Sequence, residues 1–372
     1  MEAVTAVYPT TVFDDPTTWP RARRLDALAL ALVHGTPLPG TEAVTADLLS
    51  SVAAHRHSAL GAYGYARSLE ERALVIREQA LGPEHPHTTE NLGRLGLLIE
   101  RQGHLDEALP FYERALAINQ KIFGPEHWRT ATNIHALGRL LYLKGDLARA
   151  RSFQERAVAI YEKVLGPEHA YTAISIHNLA STIQAQGDLA AARALLERVL
   201  AINEKVRGPE HPDTASSLGG LARCIQAQGD LAAARPLLER ALAIKEKVLG
   251  PEHPDTAVGL SSLAWCIQAQ GDLAAARPLA ERALATCEKV LGPEHMITNR
   301  VRGNFATLLL ASGEANDSLT LAKAALAAHE KLLGTNHLWT KDSARVTADA
   351  LDALDRDAEA TALRARYGIG SP

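Results

Sequence analysis

The sequence predicts an all-α chain, a solenoid of antiparallel helix pairs, and three observations carry that expectation. The phrase GPEH recurs at Gly82, Gly124, Gly166, Gly208, Gly250 and Gly292, each 42 residues after the last, with a decayed copy, GTNH, at Gly334. A second glycine marks the middle of each period, at Gly103, Gly145, Gly187, Gly229, Gly271 and Gly313, and the phase extends back to Gly61 and Gly40. The 372 residues are 47% hydrophobic but only 5% aromatic, with Ala and Leu dominant, which favours helices over the strands of a sandwich or barrel. A unit repeated at this period cannot bury its apolar face alone, so neighbouring units must stack.

Taken in chain order, residues 1–39 lie outside the repeat and read as a linker with a capping helix. Arg21 to His34 is expected to be a helix covering the open end of the first unit, with residues 1–18 loosely ordered around Pro9 and Pro16. Residues 40–372 form the array, about eight 42-residue units, the first and last degenerate because each has a neighbour on one side only. Within the unit that starts at Gly250, Leu260, Leu263, Ala264 and Ile267 make one helical stripe, and Leu273, Ala276, Ala283 and Leu284 make a second. Gly271 suits a left-handed stop to the first helix, and Asp272 suits the N-cap of the second. At the other corner Gly250 ends a helix, Pro251 prevents its resumption, and His253-Pro254-Asp255 starts the next. Pro110, Pro236 and Pro278, about six residues into second helices, predict a bend on an outer, solvated face.

The small and apolar positions resemble the tetratricopeptide repeat. Leu260, Leu263, Ala264 and Ile267 match its first helix; Gly271, Ala276 and Ala283 match its turn and second helix. Ala66, Ala108, Ala150, Ala192, Ala234, Ala276 and Ala360 keep register, and only Ser318 departs. The 42-residue period with its LGPEHPDT connector is similar to the longer repeats of kinesin light chains and of many bacterial arrays. That resemblance implies a right-handed superhelix whose inner wall is made by the first helix of each unit. The stretch Tyr8 to Gly35 resembles the linker that joins an NB-ARC nucleotide-binding domain to such arrays in actinobacterial signalling ATPases. No GxxxxGK[ST] phosphate loop occurs in the 372 residues.

On that resemblance the wall carries Thr132, His135, Arg139 and Tyr142, then Ile174, His177, Ser181 and Gln184, then Ser216, Gly219, Arg223 and Gln226. Val258, Ser261, Trp265 and Gln268 follow, with Arg300 beyond. The candidate peptide-binding groove is therefore His135, Arg139, Tyr142, His177, Gln184, Arg223, Gln226, Trp265, Gln268 and Arg300. The units starting at Gly208 and Gly250 differ at eight positions, three of them on this wall: Ser216/Val258, Gly219/Ser261 and Arg223/Trp265. The expected occupant is an acidic peptide or partner domain with an apolar anchor near Tyr142 or Trp265.

Other functions fit the sequence poorly. The Glu-His pairs, Glu84/His85 through Glu294/His295, hold metal-ligating residue types, yet equivalent residues lie a whole helix-pair layer apart, so they read as connector. No catalytic residue, metal or cofactor is expected, because candidate groups belong to the repeat rather than standing singly. Basic residues are interleaved with acids at a net charge of -4, which disfavours nucleic acid. No apolar run approaches a membrane span, and Cys224, Cys266 and Cys287 read as reduced thiols, so the cytoplasm is the expected location. Two functions remain: a protein-interaction scaffold, or the sensor arm of an NB-ARC-type ATPase that works with a nucleotide-binding partner.

Overall fold

A computed structural model of the chain describes residues 4, 7–9, 18–59 and 62–370; Gly61 and Pro16 lie outside them. The described residues hold seventeen helices and no strand. They are α1 (Trp19–Leu32), α2 (Glu42–Ser58), α3 (Tyr63–Leu81), α4 (Pro86–Arg101), α5 (Leu105–Phe123), α6 (Trp128–Leu143), α7 (Leu147–Val164), α8 (Ala170–Ala185) and α9 (Leu189–Val206). Then follow α10 (Pro212–Ala227), α11 (Leu231–Val248), α12 (Pro254–Ala269), α13 (Leu273–Leu291), α14 (Met296–Ala311), α15 (Ala315–Leu333), α16 (Leu338–Asp352) and α17 (Asp357–Tyr367). The all-α solenoid of helix pairs expected from the period is the fold observed.

Both corners follow from local chemistry. Gly271 sits at φ +94°, and the Asp272 carboxylate accepts the N–H of Ala275 at 3.0 Å, closing the first helix and capping the second. At the connector Gly250 has φ +91°, a conformation side-chain-bearing residues resist. The next helix is then capped by histidine: Nδ1 of His253 accepts the N–H of Asp255 at 3.1 Å. His85, His127, His169, His211, His295 and His337 cap α4, α6, α8, α10, α14 and α16 the same way. The paired glutamates tie successive repeats together, as in Lys121–Glu84 at 2.6 Å and Lys247–Glu210 at 2.8 Å, both well exposed. The Glu-His pairs are thus connector parts, one half a cap and the other an inter-repeat ion pair. Pro110, Pro236 and Pro278 are exposed, inside helices α5, α11 and α13 that continue past them.

The N-terminal expectation needs correction at Tyr8. It is buried rather than loose, and its hydroxyl donates to Asp26 of α1 at 2.5 Å. The same carboxylate meets Nδ1 of His55 at 3.0 Å and Arg56 at 3.0 Å, both on α2. Burial pushes the Asp26 carboxyl up, and the His55 and Tyr8 hydrogen bonds with the Arg56 charge outweigh that, holding it below the ordinary carboxylate value. A buried carboxylate needs such donors, and supplying one of them orders Tyr8.

The chain divides into two compact units, Met1–Leu140 with Ser152–Leu165, and Leu141–Arg151 with Gly166–Pro372. In the first, Ala131 and Ile134 of α6 pack on Ala157, Ile160 and Tyr161 of α7. There a large side chain fills the space left by a glycine: a Cβ on Gly96 would lie 2.6 Å from the Tyr112 ring, and one on Gly138 would lie 2.8 Å from Gln154. In the second, His337 donates to the carbonyl of Leu143 and lies against Gly145, which attaches the corner 141–151 to this unit.

Candidate functional site

In the second unit the first helices touch in sequence, α8 to α10, α10 to α12, α12 to α14 and α14 to α16, while the second helices make no comparable contact with one another. Helices crowded on one side and splayed on the other curve the stack, so the first helices line its hollow. The sequence assigned Tyr142, His177, Gln184, Arg223, Gln226, Trp265, Gln268 and Arg300 to this wall.

Their settings differ. Trp265 is 38% exposed, a large apolar surface left open to water. Arg223 is exposed, yet enough protein surrounds its guanidinium to push it below its usual value. That combination belongs to a concave wall. Arg300 is half-buried, stacks on Trp339 at 4.9 Å from the ring centroid, and is pushed down to about 10 by burial and by the charge of Arg223. The Tyr142 side chain is near enough to act on both arginines. Among the described residues no carboxylate forms an ion pair with Arg223 or Arg300. On other faces the arginines are tied: Arg235 to Glu239 at 2.8 Å, Arg240 to Glu204 at 2.8 Å, Arg282 to Glu246 at 2.8 Å.

Three wall positions are closed rather than open. Gly219 is buried, Ser261 accepts from Asn304 at 3.0 Å, and Gln226 is buried with its side-chain nitrogen lacking a protein partner. Gln184 and Gln268 are half-buried. His177 is half-buried against α10, where a Cβ on Gly220 would come within 2.5 Å of it, and burial with the charges of Arg223 and Lys245 pushes it down to about 4. It is therefore a neutral packing residue near pH 7.

Lys245 is the residue that sequence reading missed. It lies on the second helix α11, at the place that Asn203 holds one period earlier. Asn203 donates to Ser217 at 2.8 Å, but the counterpart of Ser217 next to Lys245 is Gly259. The lysine stem crosses that gap, its Cδ 3.6 Å from where a Gly259 Cβ would stand. Burial pushes its ammonium down, opposed by Asp255 and reinforced by Arg223 and Arg300. The signal was present in the sequence, since Lys245/Cys287 is one of the eight differences between the two near-identical units.

In the first unit Arg139 behaves otherwise. Its Nη2 donates to Glu100 at 3.0 Å and to the Tyr112 hydroxyl at 3.1 Å, and that hydroxyl donates to Glu100 at 3.1 Å. Arg139, placed in the candidate groove by its register, is thus already paired with a buried carboxylate of the chain itself. His135, one turn before, is half-buried and pushed down to about 3 by burial and by Arg139.

Among the described residues no group of three or more His, Cys, Asp or Glu is placed to hold a metal, and no helix is long and apolar enough to cross a membrane.

Comparison with known proteins bears on this architecture. No curated protein sequence matches the chain. A solved structure from Podosopora anserina, described as kinesin light chain nearly identical TPR-like repeats, is 34% identical over 55% of this chain and 98% of its own, with a TM-score of 0.43. BtubC (BKLC) from P. vanneervenii is 26% identical over 62% of this chain and 91% of its own, at 0.46. A Rap protein complexed with competence and sporulation factor shares the fold at a TM-score of 0.60 with 12% identity, over 96% of this chain and 99% of its own. The family model described as tetratricopeptide repeat matches residues 44–121, 88–163, 129–182, 171–247 and 218–289, and a second of the same description matches 300–338. The stretch Tyr8 to Gly35, with its likeness to an NB-ARC linker, falls outside every matched segment. With about three quarters of its length matched repeat after repeat, the chain belongs to the tetratricopeptide repeat family.

Proposed function

We propose that the chain is a non-enzymatic protein-interaction scaffold that holds a peptide segment or partner domain in the hollow lined by the first helices. Solenoids of this kind use their extended concave surfaces for binding. One observation carries the reading: two arginines without carboxylate partners and a half-open indole occur together on a wall whose supporting repeats are nearly copies. Aromatic and arginine side chains are the usual energetic anchors of interfaces. The partner presents an acidic group to Arg223 and Arg300 and an apolar side chain near Tyr142 or Trp265, and the charges steer its approach.

The test is capture of partners from the native cell extract, followed by affinity measurement with the identified partner. Arg223→Ala and Trp265→Ala should each weaken binding by more than about 1 kcal/mol. Unchanged affinity in both variants removes the assignment. A second reading, the sensor arm of an NB-ARC-type ATPase, is favoured by the Asp26 junction, which ties α1 to α2 through His55 and Arg56. Under that reading Asp26→Asn alters the ATPase rate of a cognate nucleotide-binding partner; an unaltered rate discards it.

A further inference from the structure

Successive repeats of the second unit are stapled at their corners. Arg151 donates to Gln186 at 3.2 Å, Arg193 to Gln228 at 3.1 Å and Arg235 to Gln270 at 3.2 Å. Each glutamine in turn donates to the carbonyl of the first residue of the preceding second helix, Leu147, Leu189 or Leu231. One period before Arg151 and Gln186 these places hold Leu109 and Lys144. A leucine cannot donate and an ammonium cannot accept, so the staple is missing at the corner that Gly145 marks. The corner itself also departs from the repeat: Tyr142-Leu143-Lys144-Gly145 stands where residues 184–187, 226–229 and 268–271 read Gln-Ala-Gln-Gly.

That corner is held from elsewhere. His337, which caps α16, donates to the carbonyl of Leu143, and a Cβ on Gly145 would stand 3.7 Å from its ring. The corner opens the second unit in sequence, and His337 lies near its end. The far side departs from the repeat too, with GTNHLW at residues 334–339 in place of GPEHPD, and the Trp339 ring packs edge-on to His337 at 5.5 Å. The capping histidines close up in this direction: His169 is exposed, His211 half-buried, and His253, His295 and His337 are buried. The late first helices therefore start against protein rather than water.

We propose that the seam between residues 143–145 and His337 is a clasp that closes the hollow of the second unit and opens to admit a partner. Staples keep the stack continuous at the other corners, so the corner at Gly145 is where it parts most readily. One imidazole holds the closure: its Nδ1 is committed to the Trp339 N–H, which leaves Nε2–H for Leu143. A single neutral hydrogen bond is a weak tie, as a closure that reverses requires. The clasp goes beyond the groove reading, which says what the wall holds and not how the wall is reached.

The experiment places a reporter thiol on the wall. In the full chain carrying Trp265→Cys, modification by N-ethylmaleimide is timed beside modification by a bulky polyethylene-glycol maleimide; Cys224, Cys266 and Cys287 are buried. Ala232→Cys, at an exposed place on the second helix α11, is the reference for open access. The expected ratio of bulky to small rates is at least tenfold lower at position 265 than at 232. It rises at least threefold on adding His337→Asn or Gly145→Asn, with the N-ethylmaleimide rate unchanged. Asparagine at 337 still caps α16 but is too short to reach Leu143. At 145 it tolerates the left-handed φ of +82° while pressing on the imidazole. Equal ratios at 265 and 232, or a low ratio at 265 that neither variant raises, overturns the proposal. The groove reading fails separately, when partner affinity survives both Arg223→Ala and Trp265→Ala.

Discussion

Arg139 and Arg223 occupy the same position in their repeats, yet one is closed off by its own chain and the other is left open. Arg139 is held by Glu100 and Tyr112 within hydrogen-bonding distance. At the matching places around Arg223 stand Gln184 and Leu196. A change from Glu to Gln keeps shape and removes one negative charge, so the same backbone frame holds one arginine against a carboxylate and the other without one. The repeat scaffold and the chemistry of its wall are therefore separable: two helices of the same fold and register carry arginines in different charge settings.

The largest effect expected from this contrast is the loss of the Arg139 partner. Glu100→Gln leaves a largely buried guanidinium without a counter-charge and should cost about 3–5 kcal/mol of unfolding free energy in denaturant titration. A loss below about 1 kcal/mol would mean that water reaches Arg139 and that the two arginines are alike.

Acid should act next. His329 is buried and His177 half-buried, and both are pushed down to about 4, mainly by removal from water, so both are neutral in the folded chain at pH 7. The unfolded chain takes up these protons first, near pH 6.5, so stability is complete above that value and falls as pH drops toward about 4. For His329 the loss at pH 5 is roughly 2 kcal/mol, from 1.5 units of pH at about 1.36 kcal/mol each. Thermal unfolding at pH 7 and pH 5 checks the sign, and His329→Gln should flatten the profile. His337, also pushed down by burial, adds to the same trend, and its Nδ1 must stay unprotonated to cap α16.

A smaller effect separates the two units by glycine. Gly96→Ala would set a methyl 2.6 Å from the Tyr112 ring and should destabilise by about 1–3 kcal/mol. In Gly219→Ala the nearest atom is Nη1 of Arg223 at 3.9 Å, ordinary contact, so the better helix former should stabilise by about 0.5–1 kcal/mol. Equal shifts in the two variants would contradict the packing described for the first unit.

The fold was legible in the sequence because its corners are local: a glycine, a capping residue and an alternation of stripes each act within a few residues. Asp272 and Gly271 behave as their types dictate. The histidine caps were not anticipated, since imidazole is outside the usual group of capping side chains, although its fixed place just before each helix was a sufficient hint. The site was less legible because its decisive contacts are nonlocal. Glu100 and Arg139 are 39 residues apart, an offset that only stacking brings together. Attention to first helices alone also passed over Lys245, which reaches the wall from α11 through the gap at Gly259. Trp265 was assigned to the wall from its register, and it keeps 38% of its surface open.

The most direct measurement of the central claim is the unfolding free energy of Arg139→Gln beside that of Arg223→Gln. Opposite outcomes are predicted: Arg139→Gln leaves Glu100 buried and uncompensated and loses several kcal/mol, while Arg223→Gln relieves repulsion with Lys245 and Arg300 and leaves stability unchanged or higher. Equal losses in the two variants would contradict the account, because Arg223 would then be a structural residue and not one held open for a ligand.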